Sequence, residues 1–258
     1  MKRLLRVAAV VALLLLALGV VVVLAMRAGR GSFEPPVKVA PGAWGVRSGG
    51  GIWLYAVRAG REVLLFDTGA DPQGRPADGL LAALAASRAD VRHVFLTHGH
   101  FDHTAAATLF PQARVHLGAG DAALAGGREP SEVALGRVFA FLMRVPPVHA
   151  TDPMRGEVEI PVGEGQSVRA IPVPGHTPGS YAFLFGGVLV VGDVLDYRGG
   201  KLGLTPAFFD AHPEANRASV VALAREMEGL PFEVLCTGHG GCTPAGEGPR
   251  LLAKYAAP

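Results

Sequence analysis

The segment that most constrains this chain is His98-Gly99-His100-Phe101-Asp102-His103, which brings three imidazoles and a carboxylate together. It follows the apolar run Val91 to Thr97, which has the composition of a buried strand. Imidazoles this close repel one another once protonated and desolvate one another once buried. A bound cation is the simplest way to make the arrangement favourable. The segment therefore predicts a metal site at the end of a strand.

The spacing within this segment indicates how its candidate ligands are divided between two ions. His98 and His100 are two residues apart, so in extended backbone both side chains point the same way and can reach one ion. Asp102 and His103 follow where the chain turns into a helix, so they point elsewhere and can serve a second ion.

Three further candidate ligands follow predicted strands and are flanked by glycine. His176 lies in Pro-Gly-His-Thr-Pro-Gly, Asp193 follows Val-Val-Gly, and His239 lies in Cys-Thr-Gly-His-Gly-Gly. Each alone is more commonly a turn or surface residue. Beside the first segment they supply the distant ligands that a catalytic ion needs. We therefore expect one site, assembled at one edge of a pair of sheets.

The rest of the chain alternates β-type runs with helical segments, which favours two packed sheets with helices outside. The predicted strands are Ile52 to Arg58, Glu62 to Asp67, Val91 to Thr97, Arg114 to Leu117, Gln166 to Val173, Tyr181 to Phe185, Val188 to Val191 and Phe232 to Thr237. The predicted helices are Pro76 to Arg88, Asp102 to Phe110, Glu214 to Glu228 and Arg250 to Tyr255.

Residues 118–145 are predicted to be helical, with an apolar cluster at Phe139, Phe141, Leu142, Met143 and Val145. The cluster fits either a helix that faces the core or a lid over a substrate cleft. Residues 118–150 and 194–213 are the expected walls of that cleft. His212 lies there, and an exposed position is expected for it.

Five motifs resemble those of the metallo-β-lactamase-fold hydrolases, in the same order. They are Phe66-Asp67-Thr68-Gly69, Thr97 to His103, Pro174 to Gly179, Gly192-Asp193 and Thr237 to Gly240. The resemblance covers roughly residues 37–258. It implies an α+β fold, an αββα sandwich of two mixed β-sheets flanked by helices.

The resemblance also implies a two-ion site. His98, His100 and His176 would hold the first ion, Asp102, His103 and His239 the second, and Asp193 would bridge both. Asp67 would stiffen the ligand loop, although a simple turn before Gly69 is its alternative role. Nitrogen and oxygen ligands suit two divalent zinc ions first, with iron or manganese as alternatives.

The chemistry expected of such a site is hydrolysis. A water shared by two ions is a hydroxide near neutral pH and can attack a carbonyl that one ion polarises. Asp102 would orient the nucleophile and move a proton to the leaving group. The expected target is an ester, thioester, lactone or amide bond of a small molecule.

Asp193 resembles the bridging aspartate of the glyoxalase II and lactonase-like branches. Tyr197 lies four residues further on, where lactonases of this fold use a tyrosine, and a packed loop aromatic is its alternative role. A short segment after His239 makes a glutathione thioester doubtful. A mono-iron persulfide dioxygenase-like oxidoreductase and a non-catalytic metal-binding domain are the alternative functions.

The N-terminal 30 residues are predicted to be a membrane segment. Val7 to Met26 carries no charge, and at about 1.5 Å per residue it spans about 30 Å, the thickness of a bilayer core. Lys2, Arg3 and Arg6 precede it, which favours a cytoplasmic N-terminus and an extracytoplasmic catalytic domain. A cleaved signal peptide, with secretion, is the alternative. Residues 31–36 are expected to be a linker and 37–258 the catalytic domain.

After residue 30 the chain has 19 basic and 22 acidic side chains and no basic run. This balance disfavours a nucleic-acid partner.

Cys236 and Cys242 bracket His239, so a disulfide that holds the His239 loop is our hypothesis for an extracytoplasmic domain. Free thiols are the alternative. The sequence predicts no oligomeric state.

Overall fold

The computed structural model describes residues 2–29 and 31–256. Within these ranges, the side chains at 2–9, 12, 15, 16, 26 and 135 lie outside the described set. Two β-sheets lie face to face, and helices cover their outer faces. The predicted α+β sandwich is thus confirmed in its layers.

The first sheet has seven strands in sequential order. They are β1 (Val37–Ala40), β2 (Ala43–Arg47), β3 (Trp53–Ala59), β4 (Glu62–Phe66), β5 (Val91–Phe95), β6 (Arg114–Gly118) and β7 (Asp152–Met154). Pairs from β1 to β4 are antiparallel and pairs from β4 to β7 are parallel, so the sheet is mixed. Parallel pairing places the carboxyl ends of β4 and β5 at the same edge.

The second sheet has the strand order β15-β14-β11-β10-β9-β8. Its strands are β8 (Val158–Val162), β9 (Gln166–Pro172), β10 (Tyr181–Phe185), β11 (Val188–Gly192), β14 (Val234–Thr237) and β15 (Gly241–Cys242). The β11–β14 pair is parallel and the others are antiparallel. A separate hairpin consists of β12 (Leu195–Arg198) and β13 (Lys201–Leu204).

Seven α-helices accompany the sheets in the described residues. They are α1 (Lys2–Gly29), α2 (Arg75–Ala83), α3 (Phe101–Thr104), α4 (Ala122–Ala125), α5 (Ala134–Met143), α6 (Pro213–Glu226) and α7 (Glu247–Ala256). Leu80 and Leu81 of α2 pack on the outer face of the first sheet. Leu223 of α6 and Leu252 of α7 pack on the outer face of the second.

The core between the sheets is aromatic. Phe66 and Phe95 of the first sheet stack on each other and contact Phe183 of the second, with ring centroids 5.2 to 5.9 Å apart. Tyr55 donates a hydrogen bond across the sandwich to the carbonyl of Thr237, at 2.6 Å. This bond fixes the end of β14 that precedes His239.

Several element boundaries differ from the sequence prediction. The predicted helix Pro76 to Arg88 ends at Ala83 and is followed by a separate 3-10 turn, Arg88–Asp90. The predicted helix Asp102 to Phe110 is one turn, Phe101–Thr104, and a 3-10 turn, Ala107–Leu109. Residues 118–145 are not continuously helical, because Pro130 and a glycine pair at 126–127 separate α4 from α5.

The N-terminal segment is helical, since α1 extends over Lys2–Gly29. In the described part of the chain, no helix combines the length and the apolarity that crossing a bilayer requires. The membrane anchor therefore stays a prediction from the sequence. Within the expected linker, Phe33 pairs with Ser48 at the start of the first sheet.

Candidate metal centre

Asp67 and four of the candidate ligands lie where five strands end. Asp67 follows β4, His98 follows β5, His176 follows β9, Asp193 follows β11, and His239 follows β14. Gly238 precedes His239 and lies so close to Asp193 that a Cβ at this position would clash with Oδ1 of Asp193. The flanking glycines seen in the sequence thus allow the ligand loops to approach one another.

His98, His100 and His176 form the first group of candidate ligands. Nδ1 of His100 lies 3.0 Å from Nε2 of His98 and 3.1 Å from Nε2 of His176. The three nitrogens therefore face a common point. His98 and His176 are buried, and His100 is half-buried at the cleft.

Asp102, His103 and His239 form a second group, and Asp193 lies between the two groups. Oδ2 of Asp193 is 3.1 Å from Nε2 of His239, 3.4 Å from Nε2 of His103 and 3.8 Å from Nε2 of His176. Asp102 Oδ2 is 3.7 Å from Nε2 of His239. The structure thus brings together all seven residues predicted as ligands.

Two buried polar atoms at this point have no hydrogen-bond partner among the described residues, namely Nε2 of His103 and Oδ1 of Asp193. Leaving buried polar atoms unsatisfied costs free energy. A divalent cation would satisfy both atoms, and imidazole nitrogens with carboxylate oxygens are donors that zinc accepts. The residues present therefore fit a metal ion at this point, and the separate group of His98, His100 and His176 offers donors for another.

The electrostatics of the two groups differ. Burial, with the neighbouring His176, lowers the pKa of His100 to about 4, and burial also holds the pKa of His98 well below its usual value. Both imidazoles are thus neutral at pH 7, as metal ligands must be.

In the second group the neighbouring Asp193 carboxylate has the largest electrostatic effect, and it raises the pKa of His239 to about 9. Burial opposes ionisation of both Asp193 and His103. Even so, His239 and His103 hold the pKa of Asp193 well below its usual value, and Asp193 with Asp67 raises the pKa of His103. The buried carboxylate requires positive charge beside it, which is what a cation supplies.

Asp67 contacts both Thr97 and His103 of the candidate ligand segment. Its carboxylate accepts hydrogen bonds from Nδ1 of His103 and from the backbone N–H and hydroxyl of Thr97, each at 2.8 Å. Asp67 itself has a positive φ of 56°, an uncommon conformation for a residue other than glycine. Since Thr97 precedes His98, this one carboxylate positions a ligand of each group.

Two supporting carboxylates were missed by the sequence analysis. Asp210 lies 2.9 Å from Nδ1 of His176, and Asn216 donates to its other oxygen at 2.9 Å. Asp121 accepts from the backbone N–H of Gly99 and from the hydroxyl of Thr177, each at 2.6 Å. Neither residue belongs to a recognisable motif, and the only signal was a position in a predicted cleft wall.

A cleft of about 590 Å³ opens over the candidate metal centre. Asp102, His100 and His239 line it, together with Phe139 and Met143 of α5. Two members of the apolar cluster, Phe139 and Met143, therefore contribute to a wall of the cleft, which favours the lid over the core-facing helix.

Two weaker candidates have other surroundings. Tyr197 is half-buried in β12 and does not line the cleft, although its neighbours Asp196 and Arg198 do. Its proposed substrate contact stays a prediction. His212 is exposed, as expected, and its Nε2 lies 3.0 Å from the carboxylate of Glu132.

Cys236 and Cys242 form a disulfide, which confirms that hypothesis. The bond joins β14 to β15 and closes the short loop that carries His239. The loop is held at both ends, so the position of this ligand depends on the bond.

Residues 47–239 match the family model of the metallo-beta-lactamase superfamily, and these residues contain all seven candidate ligands. The chain therefore belongs to that superfamily, a class of metal-dependent hydrolases with this sandwich fold.

Two curated relatives were found by sequence. YobT of Bacillus subtilis (strain 168), described as uncharacterized, is 30% identical over 202 residues, covering 72% of this chain and 82% of YobT. A hydroxyacylglutathione hydrolase of Anaeromyxobacter dehalogenans (strain 2CP-C) is 33% identical over 153 residues, covering 57% of this chain. The match spans only 47% of that hydrolase.

Solved structures share the fold. The metallo-beta-lactamase family protein TTHA1429 of Thermus thermophilus has a TM-score of 0.61 at 24% identity, covering 84% of this chain and 79% of that protein. BJP-1, a subclass B3 metallo-beta-lactamase of Bradyrhizobium japonicum, has a TM-score of 0.59 at 20% identity, covering 82% and 80%.

Proposed function

We propose that this protein is a dinuclear metal-dependent hydrolase that cleaves an ester, thioester, lactone or amide bond of a small molecule. The observation that carries the proposal is the position of Asp193. Its Oδ2 lies 3.1 to 3.8 Å from imidazole nitrogens of both ligand groups, where a bridging carboxylate belongs.

The second ligand group favours two ions over the single iron of a dioxygenase. Asp102, His103 and His239 supply a complete set of three donors in addition to His98, His100 and His176. A single ion held by the first group would leave the buried Nε2 of His103 without a partner. The nitrogen-rich donor set favours zinc.

A pair of divalent ions held by these residues would lower the pKa of a bound water to near neutrality and would polarise a carbonyl oxygen. The protein orients the reacting groups. Asp102 is half-buried and lines the cleft, so its carboxylate can accept a proton from the attacking water and pass it to the leaving group. Asp67 and Asp210 keep the ligand imidazoles in position through their Nδ1 atoms.

The similarity to a hydroxyacylglutathione hydrolase weakly supports a thioester as the substrate. The match ends before half of that enzyme's length is covered, so a different thiol or alcohol leaving group is equally compatible with it.

We also propose that residues 1–30 anchor the protein in a membrane, with the catalytic domain on the extracytoplasmic side. Support comes from the uncharged run Val7 to Met26 and from its exposed apolar side chains, such as Leu14 and Val21, 65% and 61% exposed. The Cys236–Cys242 disulfide fits an oxidising compartment.

The proposed function is tested with a substrate panel of lactones, thioesters, carboxylic esters, β-lactams and phosphodiesters on the zinc-loaded full chain. We expect turnover of at least one acyl substrate, and His100→Ala lowers it at least about a hundredfold because an ion loses a ligand. His149→Ala is the matched control, since His149 is an exposed histidine outside the site. Unchanged turnover in His100→Ala contradicts the mechanism.

A further inference from the structure

The cleft has an extensive apolar wall beside the metal centre. A stripe of four residues lines it, made of Val133 immediately before α5 and of Gly136, Phe139 and Met143 within α5, at the three- and four-residue spacing of a helix face. Phe208 and Phe209 line it from the loop before α6, with ring centroids 4.2 Å apart. The wall offers van der Waals contact and almost no hydrogen bonding.

The C-terminal end of α1 belongs to the same wall. Ala25 and Gly29 line the cleft, and Nε of Arg27 donates a hydrogen bond of 2.8 Å to the carbonyl of Leu142 in the last turn of α5. The last carbonyls of a helix lack intrahelical partners, so this contact satisfies one of them and holds α1 against α5. The exposed apolar surface of α1, including Leu24, therefore continues into the cleft wall.

The cleft offers few groups for a polar substrate. Apart from the candidate metal ligands, the charged side chains that line it among the described residues are Asp196 and Arg198. These two pair with each other at 2.6 Å. A substrate with several charges would find no free cationic side chain there, whereas an aliphatic chain would bury apolar surface against α5.

We propose that the cleft binds an amphiphilic acyl substrate, whose aliphatic chain lies between the end of α1 and the stripe of Val133, Gly136, Phe139 and Met143. This inference rests on the proposed hydrolase function and names its substrate class. Hydrolysis adds water across the acyl C–O or C–S bond. The hydroxyl of the water goes to the acyl carbon and its other proton goes to the alcohol or thiol, so the chain leaves as a carboxylic acid that ionises by releasing a proton to solvent.

The test uses the zinc-loaded full chain in phospholipid nanodiscs and acetyl, butanoyl, hexanoyl and octanoyl thioesters of N-acetylcysteamine. We expect kcat/KM, corrected for spontaneous hydrolysis, to rise about two- to fourfold per methylene, as burial of each group predicts. Phe139→Ala lowers the octanoyl-to-acetyl ratio about tenfold, whereas Phe139→Leu retains most of it. Phe141→Ala is the matched control, because Phe141 lies on the same helix, is 73% exposed and does not line the cleft.

Binding of octanoate, measured by calorimetry against empty nanodiscs, provides a readout without turnover. We expect Phe139→Ala to weaken octanoate binding about tenfold relative to the native chain and to Phe141→Ala.

A second experiment distinguishes a water-borne from a membrane-borne substrate. The octanoyl thioester is supplied either free in solution or in phosphatidylcholine vesicles. Turnover above that of the acetyl thioester in either form supports the proposal.

The two proposals fail in different ways. If the acetyl thioester is hydrolysed but the rate is independent of chain length and all variants bind octanoate equally, the acyl-chain inference is overturned while the hydrolase function stands. If no acyl substrate is hydrolysed but octanoate binding depends on Phe139, the proposed function fails and the chain-binding wall stands.

Discussion

Asp210 accepts a hydrogen bond from His176, with 2.9 Å between Oδ1 and Nδ1. This contact turns the other ring nitrogen, Nε2, towards His100 and Asp193. The second oxygen of Asp210 accepts from the side chain of the fully buried Asn216. The orientation of the candidate ligand His176 is thus fixed by Asp210, in the loop just before α6.

We expect Asp210→Asn to weaken zinc binding about ten- to a hundredfold, the usual cost of losing a carboxylate that orients a metal ligand. His176 and Asn216 contact different oxygens of Asp210, and the amide replaces one of these oxygens by an NH2 group, so one of the two contacts is lost and the imidazole is held less firmly. A competitive zinc titration measures the change. Asp78→Asn, which alters an exposed ion pair with Arg88, serves as the control, and equal affinities in the two variants would refute the role of Asp210.

Asp67→Asn is expected to lower the affinity for both metal ions, because Asp67 contacts His103 directly and His98 through Thr97. Asparagine tolerates the positive φ at this position, so the loop keeps its backbone. Asp67→Ala, which also strains the backbone, should destabilise the metal-free fold by about 1–3 kcal/mol more than Asp67→Asn. Urea unfolding in the presence of a chelator compares the two, and equal stabilities would contradict this interpretation.

The Cys236–Cys242 disulfide closes a loop of few residues, so its removal is expected to cost only about 2 kcal/mol of unfolding free energy. Its larger effect should fall on the metal held by Asp102, His103 and His239. Cys236→Ala/Cys242→Ala is therefore expected to lower the affinity for one of the two ions more than for the other. Metal titration of the native, thiol-reduced and double-variant proteins checks this, and unchanged affinity for both ions would exclude a positioning role.

His116 provides a pH test outside the metal centre. Burial and the adjacent His93, 2.9 Å away, lower the pKa of His116 to about 4. Since this value lies below the ordinary 6.5, protonation favours the unfolded chain, and stability is complete above pH 6.5 and falls between pH 6.5 and 4. In the metal-free protein, His116→Phe should therefore reduce the decrease in unfolding free energy between pH 6.5 and 4 by up to about 3 kcal/mol.

Urea unfolding of the metal-free chain at several pH values measures the slope for His116→Phe. His149→Gln, a change at an exposed histidine, is the comparison. If both variants follow the pH dependence of the native chain, His116 does not contribute to it.

The sequence predicted the layered fold and the candidate ligands that the structure brings together, because both depend on local patterns. The ligands directly follow apolar strands, and adjacent glycines such as Gly238 permit the close approach. The seven ligands therefore came from motifs of a few residues each.

Other parts of the structure have no local signal. The strands β7 and β8 were missed because each contains a proline, which is typical of sheet edges, and both lie at an edge of their sheet. Asp210 and Asp121 acquire their roles through contacts with residues distant in sequence. The contact between α1 and α5 includes a hydrogen bond from the side chain of Arg27 to a carbonyl 115 positions away.

The most direct test is the number of metal ions bound by the purified full chain. After loading with zinc and dialysis, elemental analysis should give two ions per chain, and Asp193→Ala should reduce the tightly bound number because the bridging carboxylate is lost. A protein that folds correctly, as judged by circular dichroism, but retains no transition metal would contradict the account.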